Sequence, residues 1–168
     1  SIRPEVLRPI LQACREGLRL ESEYVSLANP EVEIRVMAPH TLVFTGMRWH
    51  VRAYCEKNRA YRDFVLSRFR GEPDLMDESE HTREQDEAWN TPVTVLIEPD
   101  ARLSPAQKAI IEVDYGMLDG QLPVETRGAL VQYVLQRFGI DPNTVQANAA
   151  AQQLQVGNLQ ALKGWLYS

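Results

Sequence analysis

The feature that most constrains the fold of this chain is a change in the spacing of its apolar residues near residue 17. Before that point they recur at helical spacing, and after it they alternate with polar residues in short segments. Five such segments, separated by turn residues, fall within about 50 residues. They are residues 18–26, 31–36, 41–45, 47–55 and 62–69. This density of short strands predicts a small β-barrel or a strongly bent sheet.

A single helix is predicted ahead of the strands, over residues 4–16. Val6, Ile10 and Cys14 recur at the spacing of one helix face, and Gly17 suits the position just after a helix end. Pro9 removes one backbone donor, so we expect it to kink or delay this helix.

Strands and helices alternate after residue 90. Residues 104–107 form a capping box with proline at the first helical position, and the helix that follows is expected to bury Ala106, Ile110 and Val113. The other predicted elements are strands at 92–98, 121–125 and 153–156 and helices at 126–138 and 158–166. This order of elements predicts a ferredoxin-like αβ unit.

Charge is distributed unevenly along the chain, which has a formal net charge of −5. Residues 48–70 contain seven basic and two acidic side chains, whereas residues 71–90 contain eight acidic side chains and one basic side chain. The acidic segment is also poor in strand-forming residues, so we interpret it as a solvated connector or lid between two units. The negative total argues against nucleic-acid binding over the whole surface and leaves room for a local basic patch.

Length and composition place the chain among globular proteins. Its 168 residues are 44% hydrophobic and 24% charged, which allows one domain or two small ones. No stretch approaches the roughly 20 apolar residues of a membrane-spanning helix. The first residues also lack the apolar core of a secretory signal. We therefore expect a cytoplasmic protein that makes no contact with a membrane.

The sequence has no pattern typical of an enzyme, a metal site or a cofactor site. Cys14 and Cys55 do not stand at ligand spacing, and the glycines form no phosphate-binding loop. Cys55 is expected on the opposite strand face from His50, which argues against a nucleophile–base pair. The prediction is a protein that is not an enzyme and has no catalytic residues, no metal and no cofactor.

The segment 47–55 is the most informative strand. Its odd-numbered residues from Trp49 onward predict ordinary core, and its even-numbered residues form a polar row. That row consists of Arg48, His50, Arg52 and Tyr54. Guanidinium groups beside aromatic rings can hold an anionic aromatic ligand such as a nucleotide, and arginines from residues 62–69 can join the same patch. The alternative, a solvent-exposed polar face neutralised by Asp63 and the acidic connector, stays open.

Three segments together resemble one known family. Residues 39–44 have the sequence Pro-His-Thr-Leu-Val-Phe, residues 46–55 have Gly-Met-Arg-Trp-His-Val-Arg-Ala-Tyr-Cys, and residues 62–68 have Arg-Asp-Phe-Val-Leu-Ser-Arg. This frame looks like the WYL-domain family, although the name-giving Trp-Tyr-Leu triad is here Trp49-His50-Val51. The later strand at 93–98, Pro99, the helix at 105–115 and Arg127 are similar to the C-terminal extension that follows WYL domains.

The resemblance implies a fold and a ligand site. It implies an Sm/SH3-like five-stranded barrel preceded by a helix, in bacterial transcription regulators that carry an N-terminal winged helix-turn-helix. Within the family, the chain is similar to repressors that guard phage-defence operons. The ligand-binding positions that the resemblance implies are Tyr24, His40, His50, Arg52, Arg62, Ser67 and Arg68. A histidine in place of the family's tyrosine opens the possibility of pH-dependent ligand binding.

The combined prediction is an α+β protein made of a leading helix (1–17), a WYL-like five-stranded β-barrel (18–70), an acidic connector (71–90) and a ferredoxin-like αβ dimerisation domain (91–168). We expect it to be the ligand-sensing and homodimerising region of a bacterial transcriptional regulator, with a nucleotide or oligonucleotide effector. No winged helix is recognisable here, so the chain would be either a fragment or a stand-alone sensor, and DNA would be bound only through a domain that it lacks. Two alternatives stay open: a module that binds single-stranded nucleic acid directly, and a protein-interaction domain without a ligand.

Overall fold

The computed structural model describes residues 1–166. Helix α1 (Pro4–Glu16) has the predicted bounds and continues through Pro9. Gly17 ends it in the left-handed conformation with φ 67°, and the Gly17 N–H donates to the carbonyl of Ala13. A side chain at that φ is strained, which explains why glycine suits the position.

Five antiparallel strands follow α1. They are β1 (Leu18–Tyr24), β2 (Glu33–Phe44), β3 (Trp49–Cys55), β4 (Ala60–Val65) and β5 (Phe69–Glu78). Their order in the sheet is β4-β3-β2-β1-β5, so three successive hairpins place β3 between β2 and β4. Among residues 1–166 no ladder joins β4 to β5, so the hydrogen bonds define a five-stranded sheet, and the Sm/SH3-like barrel stays a prediction.

Strand β2 differs from the prediction because it replaces two expected strands, 31–36 and 41–45, with a single one. Pro39 lies opposite Ala53 and Thr41 opposite Arg52, so His40 is an extra residue in β2. Such a bulge lets a strand continue through a proline, which cannot donate to the ladder. As the extra residue of the bulge, His40 departs from the side-chain alternation of its neighbours in β2.

The acidic segment differs from the prediction as well. Residues 71–78 were expected in a solvated connector, but they lie in the edge strand β5, paired with β1. Their charges and Pro73 have low strand propensity, yet an edge strand tolerates both because one side of it faces solvent. The predicted strand 62–69 is divided, because β4 ends at Val65 and a 3₁₀ turn precedes β5.

The core of this first unit lies between α1 and one face of the sheet. Val6 and Ile10 of α1 pack against Val51, Phe64 and other fully buried side chains of the strands. We call this side of the sheet the core face and the opposite side the outer face.

The contacts divide the chain between Asp86 and Glu87. The second unit contains α2 (Glu87–Asn90), β6 (Pro92–Pro99), α3 (Pro105–Asp114), β7 (Leu122–Arg127), α4 (Val131–Arg137), α5 (Ala149–Gln152), β8 (Leu154–Val156) and α6 (Leu159–Leu166). Its antiparallel sheet has the order β7-β6-β8. Strands and helices therefore mix as expected, while the ferredoxin-like arrangement stays a prediction. No helix in residues 1–166 has the length and apolar character needed to cross a membrane.

Helix α3 begins as predicted but buries a different face. The Ser104 side chain accepts from the Gln107 N–H, and the Gln107 side chain accepts from the Ser104 N–H, which completes the capping box. Ile111 is buried against the unit's core, whereas Ile110 and Val113 are 61% and 81% exposed. The expectation that Ala106, Ile110 and Val113 are core residues was wrong, because all three are exposed.

Candidate functional site

The residues predicted to bind a ligand lie on two different faces of the five-stranded sheet. His50 and Arg52 lie opposite Val65 and Asp63 on the outer face. Arg62 lies opposite Ala53, whose side chain belongs to the core face. Tyr24 is part of the same core cluster as Val51 and Phe64. Because successive side chains of a strand point to opposite faces, the sheet separates Arg52 from Tyr24 and Arg62.

On the outer face, two carboxylates neutralise Arg52. Its Nε and Nη2 donate to the two Asp86 oxygens at 2.8 and 3.1 Å, and its Nη1 donates to Asp63 at 3.3 Å. Arg52 is 7% and Asp86 1% exposed, so the pair is almost dry. Burial acts to lower the pKa of Arg52, but the Asp86 hydrogen bonds and the Asp63 charge outweigh it, and the pKa rises.

His40 adds a third contact to Asp86. The bulge in β2 places its Nε2 2.9 Å from Asp86 Oδ2 and its Nδ1 2.8 Å from the Thr41 hydroxyl. A neutral imidazole satisfies both contacts when Nε2–H donates to the carboxylate and Nδ1 accepts from Thr41. One carboxylate thus joins β2 and β3 at the point where the sheet is irregular.

His50 lies beside this pair and is almost completely buried. Its Nε2 is 3.6 Å from Asp63 Oδ1. Burial lowers the pKa of His50 below its ordinary value, although the Asp63 charge acts in the opposite direction. The imidazole is therefore neutral near pH 7.

The outer face is covered by residues 79–86, which we call the strap. The Tyr61 hydroxyl donates to the Thr82 carbonyl at 2.6 Å. The His81 ring stacks on Tyr54 with the ring centres 3.5 Å apart and an interplanar angle of 9°. With Asp86 on Arg52, the strap is attached by stacking, a hydrogen bond and a charge pair. From His50 to Tyr54 the polar row is thus covered by the chain itself, whereas Arg48 is exposed to solvent.

A cavity of about 740 Å³ adjoins the strap. It lies between the end of α1 and the strap and also reaches the bulge of β2. Its lining residues include Cys14, Arg15, Pro39, His40 and Thr82. Burial raises the pKa of the Cys14 thiol to about 11, so that thiol stays protonated near neutral pH.

Tyr24 and Arg68 meet on the core face. The Tyr24 hydroxyl accepts from the Val65 N–H at 2.9 Å, and the Tyr24 ring contacts Phe64 and Phe69 edge-on. Burial raises the pKa of Tyr24, while the Val65 hydrogen bond and the nearby Arg68 guanidinium act to lower it. The hydroxyl is therefore a neutral group held at the edge of the core, beside a cation.

Arg35 is a residue of this face that the sequence analysis missed. It lies opposite Ser22, and its guanidinium contacts Asn58 at 3.4 Å and Glu33 at 3.4 Å. Its Nε is buried and has no hydrogen-bond partner among the described residues. The alternation of residues 31–36 suggested that the apolar side chains are buried and the charged ones exposed. In the structure Ile34 is exposed and Arg35 turns inward. Arg35 stands two residues before Met37, which is fully buried, and side chains two apart in a strand share a face. That spacing is the signal that would have placed Arg35 on the core face.

The remaining predicted residues of this side are open to solvent. Arg62 and Ser67 are exposed and Arg68 is half-buried. Arg62 donates to the neighbouring Tyr61 carbonyl at 3.2 Å. Within residues 1–166, neither Arg62 nor Arg68 has a carboxylate at ion-pair distance. The core face therefore carries cationic donors that the chain does not neutralise, which is the chemistry of an anion site.

No group of three or more His, Cys, Asp or Glu side chains in residues 1–166 is arranged to hold a metal ion.

Comparison with protein families gives two matches that together span most of the chain. Residues 5–71 match the WYL domain. Residues 92–162 match the C-terminal dimerization domain of the BrxR transcriptional regulator.

Comparison with curated proteins gives relatives that share one name, DNA-binding transcriptional repressor CapW. The relative from Pseudomonas aeruginosa is 37% identical over 162 residues, covering 96% of this chain and 54% of that protein. The relative from Stenotrophomonas maltophilia is 32% identical over 173 residues, covering 99% and 56%. The relative from Escherichia coli is 37% identical over 152 residues, covering 90% and 50%. The chain thus spans about half the length of the curated relatives it matches.

Proposed function

The chain belongs to the WYL-domain family of bacterial transcription regulators, and we propose from this premise that it is the effector-sensing and homodimerising part of a repressor. Its two matched domains are a WYL domain and a dimerization domain, neither of which is catalytic. The operator DNA would be bound by a winged-helix segment outside these residues. The regulated genes would be those of a phage-defence operon, as the resemblance of the first unit implies.

The proposed effector is a nucleotide or an oligonucleotide that binds on the core face. The observation that carries this proposal is that neither Arg62 nor Arg68 has a carboxylate partner among the described residues. On the same face, Arg35 contacts Glu33 through Nη2, but its buried Nε has no hydrogen-bond partner within residues 1–166. Like charges gathered on one face repel one another, and a bound phosphate relieves that repulsion. Arginine also matches phosphate geometry with two parallel hydrogen bonds.

The proposal divides the seven predicted ligand residues by role. Tyr24, Arg62, Ser67 and Arg68 would line the effector site within an Sm/SH3-like module. His40, His50 and Arg52 would instead hold the strap to the outer face. Arg52 is a poor effector ligand in this arrangement because an incoming phosphate would have to displace Asp86 first.

Effector binding must favour one arrangement of the regulator to have an effect on DNA binding, since a ligand shifts an equilibrium only through unequal affinity for two states. The strap gives that coupling a physical route. It follows the edge strand β5, crosses the outer face of β3 and β4, and ends at Asp86, immediately before α2. A change in the curvature of the sheet would therefore change the segment that leads into the dimerization domain.

The test is a titration of labelled mononucleotides, cyclic oligonucleotides and short linear oligonucleotides against the chain at two salt concentrations. We expect one preferred ligand, and at least tenfold weaker binding by an Arg62→Gln/Arg68→Gln variant, because a charged hydrogen bond contributes about 1.5–3 kcal/mol. The matched control is Arg8→Gln, which removes an exposed arginine of α1. Equal binding by the double variant contradicts the core-face site, and the absence of binding by any nucleotide contradicts the effector proposal.

One observation favours the second candidate, a module that binds single-stranded nucleic acid directly. Phe44 and Trp49 are exposed at the β2–β3 hairpin, with ring centres 5.1 Å apart and Arg48 beside them. Exposed aromatic rings next to a cation can stack on bases of any sequence. This candidate predicts binding of many oligonucleotides with a steep dependence on salt, and loss of binding in Trp49→Ala. The core-face proposal predicts a shallow dependence on salt and no effect of Trp49→Ala.

A third outcome would point to an interaction domain without a ligand. In that case no nucleotide binds, and replacing Arg52 and Arg68 with alanine changes the oligomeric state.

A further inference from the structure

Helix α3 carries an apolar stripe that faces away from its own unit. At 3.6 residues per turn, Ala106, Ala109, Ile110 and Val113 fall within an arc of about 100°. All four are exposed, and no charged residue lies inside the arc. Ile110 and Val113 are among the most exposed large apolar side chains of the chain.

The core of the second unit does not need this stripe. Ile111 alone is buried on the inner side of α3, where it joins Val95, Ile97 and Leu135. The sequence pattern of α3 therefore predicts a buried face where the structure has an exposed one. The spacing of Ala106, Ile110 and Val113 is the spacing of a buried face, yet within the described residues nothing covers it.

We propose that the α3 stripe is the apolar centre of the homodimer interface and that its occupant is the α3 stripe of a second copy of this chain. This inference rests on the proposed homodimer. It follows from two observations together: α3 lies inside the part of the chain that matches a dimerization domain, and among the helices of residues 92–162 it is the one that exposes large apolar side chains, Ile110 and Val113. Isolated exposed apolar residues are common on monomers, but a contiguous stripe marks an interface.

The stripe is suited to a partner identical to itself. A two-fold axis makes the same patch meet itself, so an uncharged patch creates no repulsion between like charges. Ala106 and Ala109 are small and allow two helix backbones to approach closely, while Ile110 and Val113 supply most of the buried apolar area. A stable interface buries about 1,200–2,000 Å² in total. That exceeds what four side chains provide, so surrounding surfaces of the unit form the rim.

The experiment measures the dissociation constant of the dimer by sedimentation velocity over a concentration series of the full chain. We expect Ile110→Glu/Val113→Glu to raise that constant about 30-fold or more, since residues at the centre of an interface contribute about 2 kcal/mol or more. Val145→Glu is the matched control because Val145 is 74% exposed in the same unit, outside α3. We expect it to leave the constant unchanged. Circular dichroism verifies that the variants keep their helices, as expected for substitutions at exposed sites.

A second pair of variants tests whether two α3 helices face each other. Ile110→Glu and Ile110→Lys should each weaken the dimer alone, and an equimolar mixture should re-form it through opposite charges. Undiminished dimerisation of Ile110→Glu/Val113→Glu, or a mixture that stays monomeric, overturns the proposed surface while the homodimer stands. A wild-type chain that is monomeric at every concentration overturns the homodimer itself and this surface with it.

Discussion

The two faces of the five-stranded sheet use the same residue type in opposite ways. On the outer face, Arg52 is buried, held by Asp86 and Asp63, and covered by the strap. On the core face, Arg62 and Arg68 have no ion pair among the described residues, although they belong to the strand and turn that follow β3 directly. The comparison teaches that an arginine's role is set by which carboxylates the fold brings to it. A neutralised arginine stabilises the fold, and one without a partner is available to an anion.

The largest expected effect comes from removing the carboxylate that neutralises the outer face. Asp86→Asn leaves the Arg52 charge buried beside a neutral partner, and one amide oxygen replaces the two carboxylate oxygens that accept from Arg52 and His40. Removing one member of a buried ion pair costs about 3–5 kcal/mol, because the desolvated charge that stays behind is not compensated. We expect a loss of that size in the free energy of unfolding, measured by urea denaturation.

The control for Asp86 is Asp77→Asn. Asp77 also pairs with an arginine, Arg19, at 2.7 Å, but it lies on the edge strand in full solvent. Water solvates both charges when this pair is broken, so we expect a far smaller change in stability. Equal losses of stability in the two variants would mean that the buried ion pair of the outer face contributes no more than an exposed one. The proposed difference between the two faces would then be wrong.

The next effect tests the neutral hydrogen bond at the edge of the core face. Tyr24→Phe keeps the edge-on contacts with Phe64 and Phe69 but leaves the buried Val65 N–H without an acceptor. An unsatisfied buried donor costs about 1–3 kcal/mol. Urea denaturation measures this loss. Tyr115→Phe removes a more exposed hydroxyl and should leave stability nearly unchanged, so a similar loss in both variants contradicts the role assigned to Tyr24.

Local features of this fold could be predicted from the sequence because their causes lie within a few residues. Gly17 ends α1 through its own φ, and the capping box of α3 needs only Ser104 and Gln107. The alternation within β3 also separated Val51 from His50 and Arg52 correctly. In each case, neighbours along the chain contain all the necessary information.

The site could be predicted only in part, because it depends on contacts that are distant in sequence. Asp86 is 34 residues from Arg52, and nothing in either segment specifies that they meet. Alternation shows which residues of one strand share a face. Only the register between strands shows that Tyr24 and Arg52 lie on opposite faces of the sheet. The strand β5 was missed for a related reason, since its pairing with β1 compensates for a sequence with low strand propensity.

A smaller effect should appear in the dependence of stability on pH. Burial places the pKa of His50 below its ordinary value, so the folded state favours the neutral imidazole. The unfolded chain binds a proton first as pH falls below about 6.5, so stability is complete above that pH and decreases below it until the folded pKa is reached. One such group changes stability by at most about 1.4 kcal/mol per pH unit.

Urea denaturation at pH 7.5, 6.5 and 5.5 measures this dependence, and His50→Gln should flatten it. His81→Gln is the control, because His81 is exposed and its stacking on Tyr54 does not bury it. If stability depends on pH as steeply in His50→Gln as in the wild type, the His50 imidazole is not the cause of that dependence. The two faces would then not differ in their response to acid.

The smallest expected effect on stability completes the contrast. Arg62→Gln removes an exposed guanidinium. In the structure this guanidinium donates a hydrogen bond to the carbonyl of the neighbouring Tyr61. We expect the free energy of unfolding to change by no more than about 0.5 kcal/mol, which is typical of surface substitutions. A slight gain is the favoured direction, because one of the cations of the core face is removed. A loss comparable to that of Asp86→Asn would show that Arg62 supports the fold. Arg62 would then not be a cation that the core face has available for an anion.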